Sequence, residues 1–337
     1  MKKNKYVVYW LLTGCLLIFI MVLVGGITRL THSGLSISDY KLIHGTIPPM
    51  NEQEWQEAFE LYKQYPEYQK LNYHFGIEEF KDIYFWEWLH RVIGRFIGIV
   101  FIIPFLYFLI TKKLDKPTIK KSLILLIMGG FQAFLGWYMV KSGLVDRPDV
   151  SHYRLAAHLV TAFLTFAFSL WVALDLIYPN KKEIHKGIRN LIRAGLLVLL
   201  IQITWGAFVA GLDAGFIHNH WPLMNEGKLM HETVYIEQQP LIKNFFEGKS
   251  GVQFVHRYLA YIVVGFIVLI WFKTRKIQTT PLQEKGLKTL LTLVFVQFLL
   301  GVLTLIYAVP LWLGIVHQIG AFFLLAAMTF TLHRFAK

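Results

Sequence analysis

Cysteine is all but missing from this chain, and that removes whole classes of chemistry at the outset. Cys15 stands alone, so no intramolecular disulfide can form and no cysteine cluster can hold a metal or an iron–sulfur centre. Redox work, if there is any, has to be done by a bound cofactor. Charge is scarce as well. Only 16% of the 337 residues are charged while 55% are hydrophobic, a composition that excludes an ordinary soluble globule and fits a polytopic membrane protein. A nucleotide-binding motif and a soluble catalytic domain are also missing.

The net charge of +13 invites a nucleic-acid reading, but the distribution of charge argues against it. Lysine and arginine crowd into the short segments Lys112 to Lys121, Lys181 to Arg193 and Lys273 to Lys288, whereas aspartate and glutamate gather in the long segments 28–84 and 213–251. With the N-terminus inside, this is the positive-inside asymmetry of a membrane protein. The basic loops then need no partner beyond the lipid surface, and nucleic acid is set aside.

What the chain has in quantity is long apolar runs. Eight of them suit a hydrocarbon core about 30 Å thick, near 6–27, 85–110, 122–140, 153–178, 191–212, 252–272, 287–307 and 311–333. Lys2, Lys3 and Lys5 give the first run the look of a secretory signal. It is too long for one, no small-residue cleavage site follows, and the second half contains its counterpart, so a retained helix is expected. The absence of a transit peptide points to a bacterial cytoplasmic (inner) membrane, crossed many times.

The two halves repeat each other. Gly25, Gly34, His90, Arg91, Gln132, Gly136 and His158 run in the same order as Gly206, Gly215, His256, Arg257, Gln297, Gly301 and His317. The expected fold is therefore an all-α integral membrane protein whose eight transmembrane helices form two pseudo-symmetric four-helix bundles, residues 1–180 and 181–337, with both termini inside. The long outer loops fall at 28–84 and 213–251. In the first, the aromatic spacing through 52–70, with Trp55, Tyr62, Tyr65 and Tyr68, predicts a short amphipathic helix over the mouth of the N-terminal unit.

Four histidines occupy matching places in this repeat: His90 and His158, His256 and His317. Each lies about five or six residues from the outer end of its apolar run, roughly 8–10 Å below the outer boundary at 1.5 Å per residue. Imidazoles are expensive in hydrocarbon unless something binds them. A bis-imidazole pair in each unit is the economical explanation, and the usual occupant of such a pair in a helical bundle is haem iron. Glu87 stands three residues before His90, where the second half has Gln253 before His256. A carboxylate at the edge of hydrocarbon marks the first unit for chemistry and leaves the second for a permanent electron-transfer haem. Arg91 and Arg257 are candidates for haem propionates, and Arg95 is a similar one; the alternative is snorkelling to lipid headgroups. His218 and His220, flanking Asn219, form a candidate surface metal site.

The chain resembles the haem A synthase family over nearly its whole length. The residues that carry the resemblance are GGITRLTHSGLS at 25–36, GTIPP at 45–49 followed by Glu54-Trp55, EEFKDIYFWEWLHRVIGR at 78–95, SGLV at 142–145 with SHYRLAAH at 151–158, AGLDAG at 210–215 with WPLM at 221–224, NFFE at 244–247 with VQFVHR at 252–257, and HQIGAF at 317–322. The resemblance implies oxidation of the C8 methyl of haem O to the formyl of haem A for terminal oxidase assembly. It further implies that His90 and His158 serve the iron of the substrate haem O, that His256 and His317 ligate haem b, and that Glu87 is the catalytic carboxylate. The first outer loop lacks the cysteine pair that some members carry, as in the mitochondrial and proteobacterial type. Expected partners are haem O, handed over by haem O synthase, an electron acceptor or donor of unstated identity, and the lipid bilayer.

Two other classes compete. One is a two-haem b-type membrane electron-transfer protein, a quinol-linked cytochrome that modifies no haem. The other is a transporter or assembly protein built on a repeat, with the histidines in a proton path; it would purify colourless. The charge pattern makes its own prediction. Reporter fusions after residue 115 and after residue 280 read inside, and fusions within 50–75 and 225–245 read outside; an outside signal from the fusion after residue 115 would overturn the orientation and the outer placement of the histidines.

Overall fold

The computed structural model of the chain describes residues 5–37, 46–143, 150–179 and 186–336. The boundary expected between residues 180 and 181 lies outside the described residues, as do residues 1–4, 38–45, 144–149 and 337. The elements are α1 (Lys5–Leu30), α2 (Glu52–Tyr62), α3 (Ile77–Ile110), α4 (Lys116–Gly143), α5 (His152–Ile177), α6 (Lys186–Gly211), α7 (Thr233–Ile236), α8 (Asn244–Glu247), α9 (Lys249–Thr274), α10 (Pro281–Ile306) and α11 (Leu311–Phe335). Short helical turns lie between them in the loops. Among the described residues the regular structure is entirely helical, as lipid demands of a chain that satisfies its backbone hydrogen bonds within each crossing segment.

Eight of these helices, α1, α3, α4, α5, α6, α9, α10 and α11, are long and apolar enough to cross a membrane. Each of the eight expected runs lies on one of them. The largest departure is α3, which begins at Ile77, two turns before the apolar run expected from residue 85. Glu78, Glu79, Asp82 and Glu87 interrupt the hydropathy there, yet Phe80, Ile83 and Tyr84 between them are buried. They pack with Ile37 and with Phe59 and Tyr62 of α2. The outer part of α3 is thus an aqueous-side helix supported by the loop, continuous with the spanning one.

Neighbour contacts sort the spanning helices into two rings. In the first half α1 touches α3 and α5, and α4 touches the same two; in the second half α6 touches α9 and α11, and α10 touches the same two. So α3 faces α5 across one ring and α9 faces α11 across the other. The rings join through α1 and α5 on one side and α6 and α11 on the other. The helices α3, α4, α9 and α10 expose large apolar side chains such as Ile103, Ile127, Phe131, Phe272 and Leu299, a surface suited to lipid.

With lipid on both sides of the comparison, it is packing and interhelical hydrogen bonds that hold the rings together. Phe322 of α11, 2% exposed, stacks among Phe166 at 3.9 Å, Phe163 at 5.6 Å and Phe19 at 5.2 Å between ring centroids, reaching α5 and α1 together. Polar ties reinforce this seam at three depths. Near the ends that carry the long loops Arg29 donates to the carbonyl of Ala210 at 2.7 Å and pairs with Asp213 at 3.0 Å. At mid-depth Gln318 donates to the carbonyl of Val22 at 2.5 Å. Toward the opposite ends Asp175 joins Lys121 at 2.6 Å and His333 at 3.0 Å, linking α4, α5 and α11.

Candidate functional site

The four repeat-related histidines sit on the helices that face each other across the two rings, His90 on α3 and His158 on α5, His256 on α9 and His317 on α11. His158, His256 and His317 lie six or seven residues into their helices, about 10 Å at 1.5 Å per residue. His90 lies further along its helix only because α3 starts further out. All four line one cavity of about 1230 Å³, above the roughly 300–1,000 Å³ of an ordinary small-molecule pocket.

Each imidazole leans on a glycine of the neighbouring helix. A Cβ placed on Gly136, Gly206 or Gly301 would stand 3.1, 3.0 or 2.9 Å from Cε1 of His158, His256 or His317, and one on Gly25 would stand 3.1 Å from Nε2 of His90. The repeated glycines therefore mark the places where a ring edge abuts a bare backbone. One helical turn before three of them is a glutamine whose amide donates to the backbone carbonyl of the same histidine: Gln132 to His158 at 2.9 Å, Gln202 to His256 at 3.0 Å and Gln297 to His317 at 2.9 Å. The pattern Gln-x3-Gly was legible at 132–136 and 297–301; its third instance, Gln202 with Gly206, was missed although the spacing is identical.

The second pair has the geometry an iron needs. The rings of His256 and His317 are 6.4 Å apart between centroids and nearly perpendicular at 88°. Two metal–nitrogen bonds of about 2 Å each, with the reach from each nitrogen to its ring centre, account for about 6 Å of such a separation. The buried Nδ1 atoms of His158 and His256 and the Oε1 atoms of Gln132, Gln202 and Gln297 have no hydrogen-bond partner. Buried polar atoms without partners call for an explanation, and a ligand histidine that binds metal through one nitrogen carries its proton on the other, against an outer acceptor. Donor chemistry, spacing and cavity all suit haem.

At the cavity rim each unit clamps its own outer loop with the same two positions. Glu87, 3% exposed, accepts from Ser36 Oγ at 2.8 Å and from the Ile37 amide at 2.8 Å, and pairs with Arg91 at 2.6 Å. Arg91 donates onward to the Ile37 carbonyl at 2.7 Å. In the second unit Gln253 donates to the carbonyls of Ala214, at 2.9 Å, and Ile217, while Arg257 donates to those of His218 at 2.7 Å and Leu223 at 2.9 Å. Where one loop turns an amide inward it meets a carboxylate, and where the other turns carbonyls inward it meets an amide. Arg91, Arg95 and Arg257 line the cavity, and Arg257 Nε has no partner.

Two loop expectations change. The amphipathic helix expected through 52–70 ends at Tyr62 and packs on the outer turns of α3; Glu67, Leu71, Asn72 and Phe75, beyond it, are the residues that reach the cavity. The candidate pair His218 and His220 points apart. His218 is buried against Ser250 at 3.0 Å, where burial and then His231 and Arg257 push its imidazole below the usual range, whereas His220 bonds Asn225 at 2.7 Å on the surface.

The glycine contacts predict a steric test. Gly206→Val and Gly301→Val force the ring they meet to move, at about 1–3 kcal/mol of overpacking, and should lower the haem content of the purified protein. Gly265→Val on α9, where a Cβ meets nothing within 4 Å, should keep it. Equal haem content in all three would show that the glycines do not seat the histidines.

The chain is similar along its whole length to known proteins. Over 340 residues the chain is 61% identical to the heme A synthase of Flavobacterium johnsoniae, covering 100% of this chain and 99% of the relative. It is 42% identical over 335 residues to the heme A synthase of Parvibaculum lavamentivorans, covering 99% of this chain and 96% of that one. The family profile COX15-CtaA, described as cytochrome oxidase assembly protein, matches residues 8–329. With eight membrane-length helices and a full-length match to these bacterial proteins, the chain is a multi-pass protein of the bacterial inner membrane and belongs to the COX15-CtaA cytochrome oxidase assembly family.

Proposed function

We propose that this protein is a haem A synthase, an oxidoreductase that converts the C8 methyl of haem O to the formyl of haem A. The observation that carries the reading is the perpendicular His256–His317 pair at 6.4 Å, repeated in chain order by His90 and His158 within the same cavity. The full-length identity to proteins named heme A synthase supports the same reaction. In this reading residues 1–180 receive haem O between His90 and His158, and residues 181–337 hold haem b between His256 and His317. Haem O comes by handoff from the enzyme that makes it, dioxygen or water supplies the formyl oxygen, and an electron acceptor or donor completes the turnover.

A methyl group on a macrocycle is a poor acid, and haem iron supplies the oxidising power that a side chain cannot. The protein's own residues bind, orient and manage protons. His158 is held by Gln132 and by the bare backbone of Gly136, so one side of the substrate is fixed. Of the arginines on the cavity wall, Arg91 and Arg257 are the two that follow the histidines in both units and meet propionates. Glu87 lies on the same wall. Ser36, Ile37 and Arg91 take up three of the roughly four acceptor positions of its carboxylate, which leaves it able to accept a proton released as the methyl is oxidised. Its ties to Ser36 and Ile37 also hold the outer loop over the site, restricting water.

The second unit has Gln253 in the corresponding place, so the two units divide the work between chemistry and electron transfer. Glu87→Gln keeps one acceptor oxygen and turns the other into a donor, so either the Ile37 amide or the Arg91 guanidinium loses its acceptor, at about 1–3 kcal/mol of unsatisfied pairing. Extracted haems should then contain haem O or a partly oxidised hydroxymethyl form in place of haem A, with haem b retained. Chromatography separates these species, and a wild-type yield of haem A from Glu87→Gln would remove Glu87 from the reaction.

A further inference from the structure

The four histidine quadrants are built to one plan in three cases and to another in the fourth. For His158, His256 and His317 the supporting glycine faces Cε1, then Nδ1 at 3.6–3.7 Å, then Nε2 at 3.7–3.8 Å. The three rings thus present the same edge to the backbone beside them. His90 meets Gly25 through Nε2, at 3.1 Å from the Cβ position, followed by Cδ2 at 3.5 Å, the two atoms that a half-turn of the ring exchanges for Cε1 and Nδ1. The fourth ring is therefore seated on its glycine by an equivalent edge.

The same quadrant departs in sequence. Where Gln132, Gln202 and Gln297 precede their glycines by four residues, Met21 precedes Gly25. The three glutamines tie the backbone of their histidine to the neighbouring helix, and Gln297 Nε2 also lies 3.2 Å from His317 Nδ1. Methionine cannot make that bond. It is flexible and apolar, and its Cε reaches the α3 backbone one turn below His90, 3.3 Å from the Cβ position of Gly94. One tie of the four is missing, and it is the one that would hold His90.

We propose that Met21 makes His90 the releasable ligand of the N-terminal site, with His158 the fixed one, so that the substrate haem can lose one axial imidazole while staying bound. The proposal rests on the reading of His90 and His158 as a haem site. It resolves a conflict in that reading, because two permanently bound imidazoles leave no coordination position open. The second unit, tied by Gln202 and Gln297 on both sides, keeps both of its ligands. Met21 is a positioning residue in this account, acting through His90.

Carbon monoxide binds reduced haem only where an axial position is vacated, so it reads ligand release without turnover. In the reduced full-length protein loaded with haem O, one of two haems should take up carbon monoxide. Met21→Gln should slow that uptake about three- to tenfold, the range one hydrogen bond supplies, while Met21→Leu, which restores no amide, should leave it as in the wild type. The transplant in the other direction is Gln297→Met, which should make the haem of the second unit reactive to carbon monoxide. His158→Ala separates the two layers of the argument. If it leaves the haem content unchanged, the first unit holds no haem and the proposal falls with that reading. If haem content drops but Met21→Gln leaves uptake as in the wild type, the release proposal falls alone.

Discussion

A polar ring in hydrocarbon has to be given a partner, and this structure depends on how four imidazoles are seated. Each lies against a helix at a glycine, because any side chain there would occupy the ring's place. Close backbone approach of this kind is also what binds helices in lipid, where burying apolar surface gives little advantage. The glycine that seats the histidine therefore also sets the spacing of two helices within each ring. In the proposed reading, the facing helices α9 and α11 are then held apart by the width of what two imidazoles bind between them. Ligand geometry and bundle geometry are one constraint.

Around this constraint the two units diverge where their loops meet the cavity. Glu87 with Arg91, and Gln253 with Arg257, occupy corresponding places on α3 and α9 and clamp corresponding loop residues, Ile37 and His218. The charge survives in one unit alone. It is buried, ion-paired and shared with the loop, so any role in proton transfer is coupled to how the loop closes the site. The seam between the units, by contrast, is made of Phe322 and its aromatic neighbours and of ties such as Gln318 to Val22, which hold the cavity together without entering its chemistry.

Much of this was legible in the sequence because membranes simplify the code. Eight apolar runs gave the spanning helices, and the order of His, Arg, Gln and Gly gave the repeat. The limits are instructive. The outer turns of α3 were hidden because acidic residues alternate with Phe80, Ile83 and Tyr84, and it is the packing of α2 that makes that stretch helical. The arginines beside the histidines read as propionate partners; that they also hold loop carbonyls follows from loop conformation, which no spacing reveals. Gln202 and Met21 carried a signal that went unread. Once Gln-x3-Gly is seen as the tie between a helix and a ligand histidine, the sequence itself singles out Met21 as the exception.

The central claim is that facing imidazoles across each ring are iron ligands held in a preset orientation. Electron paramagnetic resonance of the oxidised protein tests it most directly, because the angle between axial imidazole planes shapes the low-spin ferric signal. Rings at 88° predict the strongly axial low-spin signal of perpendicular imidazoles for the haem of the second unit, lost in His256→Ala and in His317→Ala. A high-spin signal from that haem, or the rhombic signal of parallel rings, or its persistence in both variants, would contradict the account.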